Sequence, residues 1–96
     1  MRHAYVVTYD IADPKRLRQV YRLMLGWGDH LQLSVFQCDL NARELAELKI
    51  ALADILNHNE DQVLFCCLGL VEGRGGDAIE SLGKRYFDPE RSAVIV

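Results

Sequence analysis

A short apolar segment at the start of the chain runs directly into a strong helix start. Residues His3 to Asp10 are rich in Val and Tyr, which favours a buried strand. Asp13 and Pro14 follow at once. An aspartate there accepts hydrogen bonds from the free N–H groups of a first helical turn, and proline fits the first helical position. We therefore predict a strand that ends at Asp10 and a helix that begins at Pro14.

The predicted helix has one apolar stripe and a clear end. Its apolar residues recur at helical spacing: Leu17, Val20, Tyr21 and Met24. Gly26 and Gly28 follow, and glycine is a common signal for the end of a helix.

Two strand segments, a second helix and a further strand follow. Residues 30–40 are long for one strand, so we expect a fold-back or bulge at residues 32–34. Asn41 and Glu44 have the spacing of a capping box and predict the start of the second helix, which the sequence Asn57-His58-Asn59 ends. Its apolar face is Leu45, Leu48, Leu52, Ile55 and Leu56. Residues 62–71 read as a buried strand.

Residues 73–96 are predicted to form an extension of this core. Gly73, Gly75 and Gly76 predict a flexible connection, and the absence of a Gly-Lys-Ser/Thr ending excludes a phosphate-binding loop. Residues 78–82 are expected to be a short strand or turn. Residues 92–96 are expected to be a terminal strand that pairs with a sheet edge, its own or a partner's.

The order of these segments predicts one domain over residues 1–96, with a core at 1–72 and a C-terminal extension at 73–96. It fits an α+β, ferredoxin-like βαββαβ sandwich with an extra C-terminal strand, and the open sheet face and the apolar tail invite dimerisation. No apolar run approaches the roughly 20 residues of a membrane span, and no signal peptide opens the chain. Cys38, Cys66 and Cys67 form no C-x-x-C pair, so we expect small core or half-buried residues in a reducing cytoplasm.

Charge is distributed unevenly along the chain. The net charge of -3 argues against a generally sticky nucleic-acid binder. Between residues 14 and 28, however, every charged residue is basic: Lys15, Arg16, Arg18 and Arg22. These residues are typical of a helix that contacts the phosphates of a polyanion. They are equally typical of a solvent-exposed helix face.

Asp10, at the exit of the first strand, is the main candidate for chemistry. One reading is a turn residue that bonds nearby backbone amides. The other is a ligand for Mg²⁺ or Mn²⁺, with a two-fold dimer bringing two Asp10 side chains together. Asp13 fits a helix cap better than a ligand. Tyr9 and Phe36 fit the core, with an interface also open to Tyr9, and Ser34 fits a bend or a phosphate contact.

Residues 6–13 (VVTYDIAD) with 15–20 (KRLRQV), and later residues 32–40 (QLSVFQCDL), resemble the small CRISPR-associated adaptation protein. This is the second core Cas family, the partner of the CRISPR integrase. The resemblance implies a ferredoxin-like homodimer whose terminal strands complete the partner's sheet. It also implies that the dimer bridges integrase dimers, lies along a double-stranded protospacer DNA and acts in spacer acquisition. Members are described as metal-dependent nucleases acting on single-stranded RNA or double-stranded DNA.

By the same resemblance Asp10 is the Mg²⁺ ligand, and the accompanying functional positions are Tyr9, Arg16, Arg18, Ser34 and Phe36. Two positions depart from the family pattern: His30 stands where Arg is frequent, and Leu33 where Tyr is frequent. Both departures are expected to weaken substrate positioning. Fold alone does not fix function, so a small ribonuclease toxin or a ligand-binding regulatory domain on the same fold stays an alternative.

Overall fold

The computed structural model describes residues 1–84, which form one antiparallel sheet with two helices packed on one face. The sheet has four strands in the order β2-β3-β1-β4, so the first strand lies in its interior. In chain order the elements are β1 (His3–Asp10), α1 (Pro14–Leu25), β2 (Asp29–Gln32), β3 (Val35–Leu40), α2 (Ala42–Ile55) and β4 (Gln62–Leu70). This arrangement confirms the predicted ferredoxin-like α+β fold.

A 3₁₀ turn, Arg74–Asp77, follows β4. Residues 78–82, expected to be a short strand or turn, contain no strand. The terminal strand predicted at 92–96 lies outside the described residues. Within residues 1–84 neither helix is long and apolar enough to cross a membrane.

Both helices start where local chemistry predicts. The backbone N–H of Arg16 donates to the Asp13 carboxylate at 2.9 Å, and Pro14 occupies the first turn. At α2 the capping box is reciprocal. The N–H of Glu44 donates to the Asn41 side chain at 2.8 Å, and the N–H of Asn41 donates to the Glu44 carboxylate at 2.9 Å.

The fold-back expected at residues 32–34 is present and joins β2 to β3 through a tight turn. His30 lies opposite Phe36 in that hairpin, and the register shifts between His30 and Gln32. The turn is also attached to β1, because the N–H of Tyr9 donates to the carbonyl of Ser34 at 3.1 Å. The end of β1 and the β2–β3 turn are therefore held side by side.

The core lies between the sheet and the two helices. Alternation along β1 turns Val7 and Tyr9 towards the helices and leaves Asp10 exposed. Tyr9 and Phe36 are both buried, as predicted, and their rings stack at 6.2 Å. Cys38 is also buried, which raises the pKa of its thiol to about 12.

β4 is only half buried, so the prediction of a buried strand was wrong in part. It is an edge strand, and only its helix-facing side packs on the core. Leu64 stays 53% exposed, and Cys66 and Cys67 are exposed rather than core or half-buried. The pairing of β4 with β1 also shifts by one residue near Gly69, whose φ of 114° is a conformation that favours glycine.

Gly28 supplies a test of the packing between the end of α1 and β3. A Cβ at Gly28 would collide with the carbonyl of Gln37 and the Sγ of Cys38. We expect Gly28→Ala to lower the free energy of unfolding by about 1–3 kcal/mol, as overpacking does. At Gly26 an added Cβ would meet its nearest atom at 3.5 Å, so Gly26→Ala is the matched control and should cost less than about 1 kcal/mol. Urea denaturation measures both, and equal losses would contradict the crowding at Gly28.

Candidate functional site

A cleft of about 500 Å³ opens where β1 ends, between the first turns of α1 and the β2–β3 turn. Its polar lining comes from Asp10, Arg18 and Ser34. Its remaining lining residues are Tyr9, Ile11, Leu17, Tyr21 and Leu33. Phe36 lies behind Tyr9 in the core. The structure thus brings Tyr9, Asp10, Arg18 and Ser34, all singled out from the sequence, to one place.

Asp10 is the free carboxylate of this cleft. It is the last residue of β1 and is exposed. Within residues 1–84 no hydrogen bond or ion pair holds its side chain. Its neighbour Tyr9 points the other way, and burial, with a smaller effect of Tyr21, raises the pKa of the Tyr9 phenol. Tyr9 therefore stays protonated at neutral pH, while the Asp10 carboxylate is available to a ligand.

Three basic side chains form an exposed row along α1 next to the cleft. Lys15, Arg18 and Arg22 stand at positions i, i+3 and i+7, which lie on one side of a helix. None of them makes an ion pair with another residue of the described chain. We call this row the basic face of α1. It reaches the cleft at Arg18.

Arg16 does not belong to the basic face. Its Nε donates to the Asp61 carboxylate at 2.7 Å and its Nη2 donates to Glu60 at 3.0 Å. Only 23% of the Arg16 side chain is exposed. Sequence reasoning placed Arg16 with the phosphate-binding residues, but the structure uses its guanidinium to join α1 to the loop before β4.

Asp61 is the residue of this region that sequence reasoning missed. Its side chain is fully buried. Besides Arg16, it accepts hydrogen bonds from the N–H groups of Ala12 and Asn57, each at 2.9 Å. These donors hold the pKa of the Asp61 carboxyl well below its usual range, and the hydrogen bond from Arg16 has the largest effect. The only local signal was an acidic residue just before a predicted strand.

Two residues that depart from the family pattern shape the β2–β3 turn. The His30 ring packs on Phe36 at 4.8 Å and against Tyr21 at 5.1 Å. Its Nε2 lies 3.2 Å from the carbonyl oxygen of Leu33. Because a carbonyl oxygen can only accept, the hydrogen bond forms when this ring nitrogen carries a proton and donates it. His30 therefore holds the turn in place, and the Leu33 side chain at its tip is 92% exposed.

The residues at the cleft fit a weakly held, hard divalent ion. Among the described residues no three His, Cys, Asp or Glu side chains cluster closely enough to hold a metal. The nearby Asp13 and Asp61 carboxylates are occupied by N–H donors, which leaves Asp10. Mg²⁺ usually keeps several waters and binds one or two carboxylates together with substrate phosphates. One exposed carboxylate suits that chemistry and does not suit a structural zinc site.

The chain thus combines a ferredoxin-like sheet with a cleft in which the free Asp10 carboxylate lies beside the basic face of α1. The family of the CRISPR associated protein Cas2 matches residues 2–70 of this chain. The chain belongs to that family. A curated relative from Rhodospirillum rubrum, "CRISPR-associated endoribonuclease Cas2 1", is 47% identical over 98% of this chain and 91% of its own length. The Geobacter sulfurreducens "CRISPR-associated endoribonuclease Cas2" is 42% identical over the full length of both.

Solved structures agree with this assignment. The Streptococcus pyogenes Cas2 structure superposes with a TM-score of 0.71 at 33% identity, covering 83% of this chain and 99% of that one. A hypothetical protein from Thermus thermophilus, TT1823, superposes with a TM-score of 0.77 at 29% identity, covering 88% and 95%. The alternatives of a toxin or a regulatory domain on the same fold gain no support, because the family match spans most of the core.

The Asp61 contacts predict a specific dependence of stability on pH. A carboxyl whose pKa is depressed in the folded state stabilises the fold above its unfolded pKa of about 4. That stabilisation is lost as the pH falls towards the folded pKa. We expect Asp61→Asn to lower the melting temperature by more than about 5 °C at neutral pH, and the difference from the parent protein should shrink below about pH 4.

Thermal melts followed by circular dichroism between pH 7 and acid would measure this. Asp54→Asn on α2 is the control, because Asp54 is exposed and makes no ion pair with another described residue. It should follow the parent curve at every pH. If the difference in melting temperature between Asp61→Asn and the parent stayed constant down to acid pH, the ionised Asp61 carboxylate would not be the source of the stabilisation.

Proposed function

We propose that this chain is a CRISPR-associated nuclease that hydrolyses phosphodiester bonds of nucleic acid bound at the Asp10 cleft. The observation that carries the proposal is the free Asp10 carboxylate in the same cleft as Arg18. The names of the relatives, which describe endoribonucleases, support the same reaction class.

Each side chain of the cleft has a distinct role in this proposal. Arg18 binds a substrate phosphate, for which its planar guanidinium offers two parallel donors. Asp10 would hold Mg²⁺ or Mn²⁺, which would supply Lewis acidity towards the scissile phosphate. The stacked rings of Tyr9 and Phe36 fix the end of β1 that carries Asp10. Ser34 offers a hydroxyl at the rim.

A homodimer would complete the acidic part of this site. Among the described residues, Asp10 is the one carboxylate that lines the cleft, and a two-fold axis near the end of β1 would add a second Asp10. The sheet face opposite the helices leaves apolar residues available for such pairing, among them Leu64 with 53% of its surface exposed. This exposed face supports the homodimer as part of the proposal.

Replacing Asp10 tests the hydrolytic proposal. We expect Asp10→Asn to lower divalent-dependent cleavage by roughly 100-fold or more, because the electrostatic stabilisation it removes is worth several kcal/mol. Cleavage of labelled single-stranded RNA and double-stranded DNA, each with Mg²⁺, with Mn²⁺ and with chelator, measures the effect. Asp54→Asn is the matched control and should cleave as the parent does. If Asp10→Asn kept full activity, the nuclease proposal would be wrong.

A second candidate function is favoured by the basic face of α1, whose three cations have no partner among the described residues. We propose that the same chain serves as an adaptation subunit, which binds duplex protospacer DNA through this face and docks the CRISPR integrase. The basic face supports duplex binding, and membership of the Cas2 family supports the integrase as partner.

Salt dependence tests the role of the basic face. Replacing Lys15, Arg18 and Arg22 with Ala should weaken duplex binding and reduce the slope of log K against log salt by about 0.9 for each phosphate that the variant no longer neutralises. Fluorescence anisotropy over a salt series gives the slope. Arg43→Ala is the control, since Arg43 is an exposed arginine on α2 that pairs with Glu47 at 3.0 Å. An unchanged slope in the triple variant would identify the face as ordinary solvated surface. Arg16 is left intact, because its replacement would disturb the Asp61 network.

A further inference from the structure

We propose that the cleft beside Asp10 is a nucleobase pocket and that Leu33 is the residue that contacts the base. The site would then select nucleic acid with an unpaired base next to the phosphate held at Asp10 and Arg18. This inference rests on the proposed nuclease function and adds to it a substrate feature and a specificity residue.

The first argument is the apolar character of the cleft wall. Leu17, on the first turns of α1, is 40% exposed, and Leu33 on the facing turn is 92% exposed. Tyr21 lies one helical turn after Leu17, on the same side of α1. Single exposed leucines need no explanation, but a contiguous apolar wall around a cleft indicates a binding surface.

The second argument is that Leu33 is held in place rather than free to fold down on the protein. His30 fixes the Leu33 carbonyl from one side at 3.2 Å. Tyr9 fixes the next residue, Ser34, from the other side at 3.1 Å. The backbone of the turn is thus held on both sides of its apolar tip, which lines the same cleft as Asp10. Such preorganisation lowers the entropic cost of contacting a ligand.

The third argument is charge complementarity at the rim. The apolar wall ends at Arg18, which continues into Lys15 and Arg22 on the basic face. The occupant must therefore carry a flat or apolar group beside an anionic one, and a nucleotide has both. The bases of an intact duplex are paired and stacked, so an unpaired base is the one that can enter.

Binding to base-free strands tests the pocket directly. The full chain, kept in chelator so that nothing is cleaved, is titrated against a short single-stranded oligonucleotide and against an abasic strand of the same length and charge. We expect the strand with bases to bind at least about fivefold tighter, the lower end of what one stacked base contributes. Leu33→Ser should bring this ratio close to one. Leu33→Phe should keep or raise it, because a ring stacks better on a base.

Two control variants separate the pocket from other effects. Ile50→Ser removes an aliphatic side chain that is 65% exposed on α2 and should leave the ratio unchanged. Arg18→Ala should weaken both strands alike and keep the ratio, since it removes a phosphate contact only. The inference is overturned if the parent binds both strands equally. It is also overturned if Leu33→Ser weakens duplex DNA as much as single strands, or if light scattering shows that Leu33→Ser changes the oligomeric state, which would identify a contact with a second copy.

The base pocket and the nuclease function can fail independently. If Asp10→Asn retains cleavage while the base-dependent ratio depends on Leu33, the hydrolytic proposal fails and the pocket stands. If cleavage depends on Asp10 but the abasic strand binds as well as the normal one, the pocket fails and the nuclease stands.

Discussion

One buried carboxylate, that of Asp61, holds together the end of the molecule that carries the cleft. It accepts hydrogen bonds from the N–H of Ala12, from the N–H of Asn57 and from the guanidinium of Arg16. These donors belong to the β1–α1 loop, the α2–β4 loop and the first turn of α1. A buried charge is tolerated only with such partners, so the three segments keep one relative position. Asp10 lies two residues before Ala12, so the hydrogen bond between Ala12 and Asp61 also constrains the position of Asp10.

The basic residues of α1 divide into two kinds that their sequence does not distinguish. Arg16 is bound to acidic groups of another loop and contributes to the fold. Arg18, with Lys15 and Arg22, is exposed and has no ion-pair partner within residues 1–84, so these side chains contribute little to the stability of the fold. The fold thus uses one arginine to fix the helix that presents the others.

Local chemistry predicted the order of the elements and both helix starts, because Asp13 before Pro14 and Asn41 before Glu44 act within a few residues of themselves. It could not predict features that depend on tertiary neighbours. Arg16 and Asp61 are 45 residues apart in the chain. The exposure of β4, with Cys66 and Cys67, follows from its place at the sheet edge, which topology decides. At the cleft, the sequence singled out Tyr9, Asp10, Arg18 and Ser34, whereas the buried network of Asp61 and the position of Leu33 at the cleft emerged only from the structure.

β1 also works as a rigid spacer between the two ends of the molecule. Just before the start of β1, the Arg2 guanidinium pairs with the Glu44 carboxylate at 3.0 Å. The carbonyl oxygen of Arg2 also accepts a hydrogen bond from the N–H of Val71. At the other end of β1 lies Asp10. Eight extended residues separate these ends by roughly 25 Å. A fluorophore or a surface tether attached at the exposed Met1 would therefore lie far from the cleft, and the protein could be immobilised there with the cleft facing the solution.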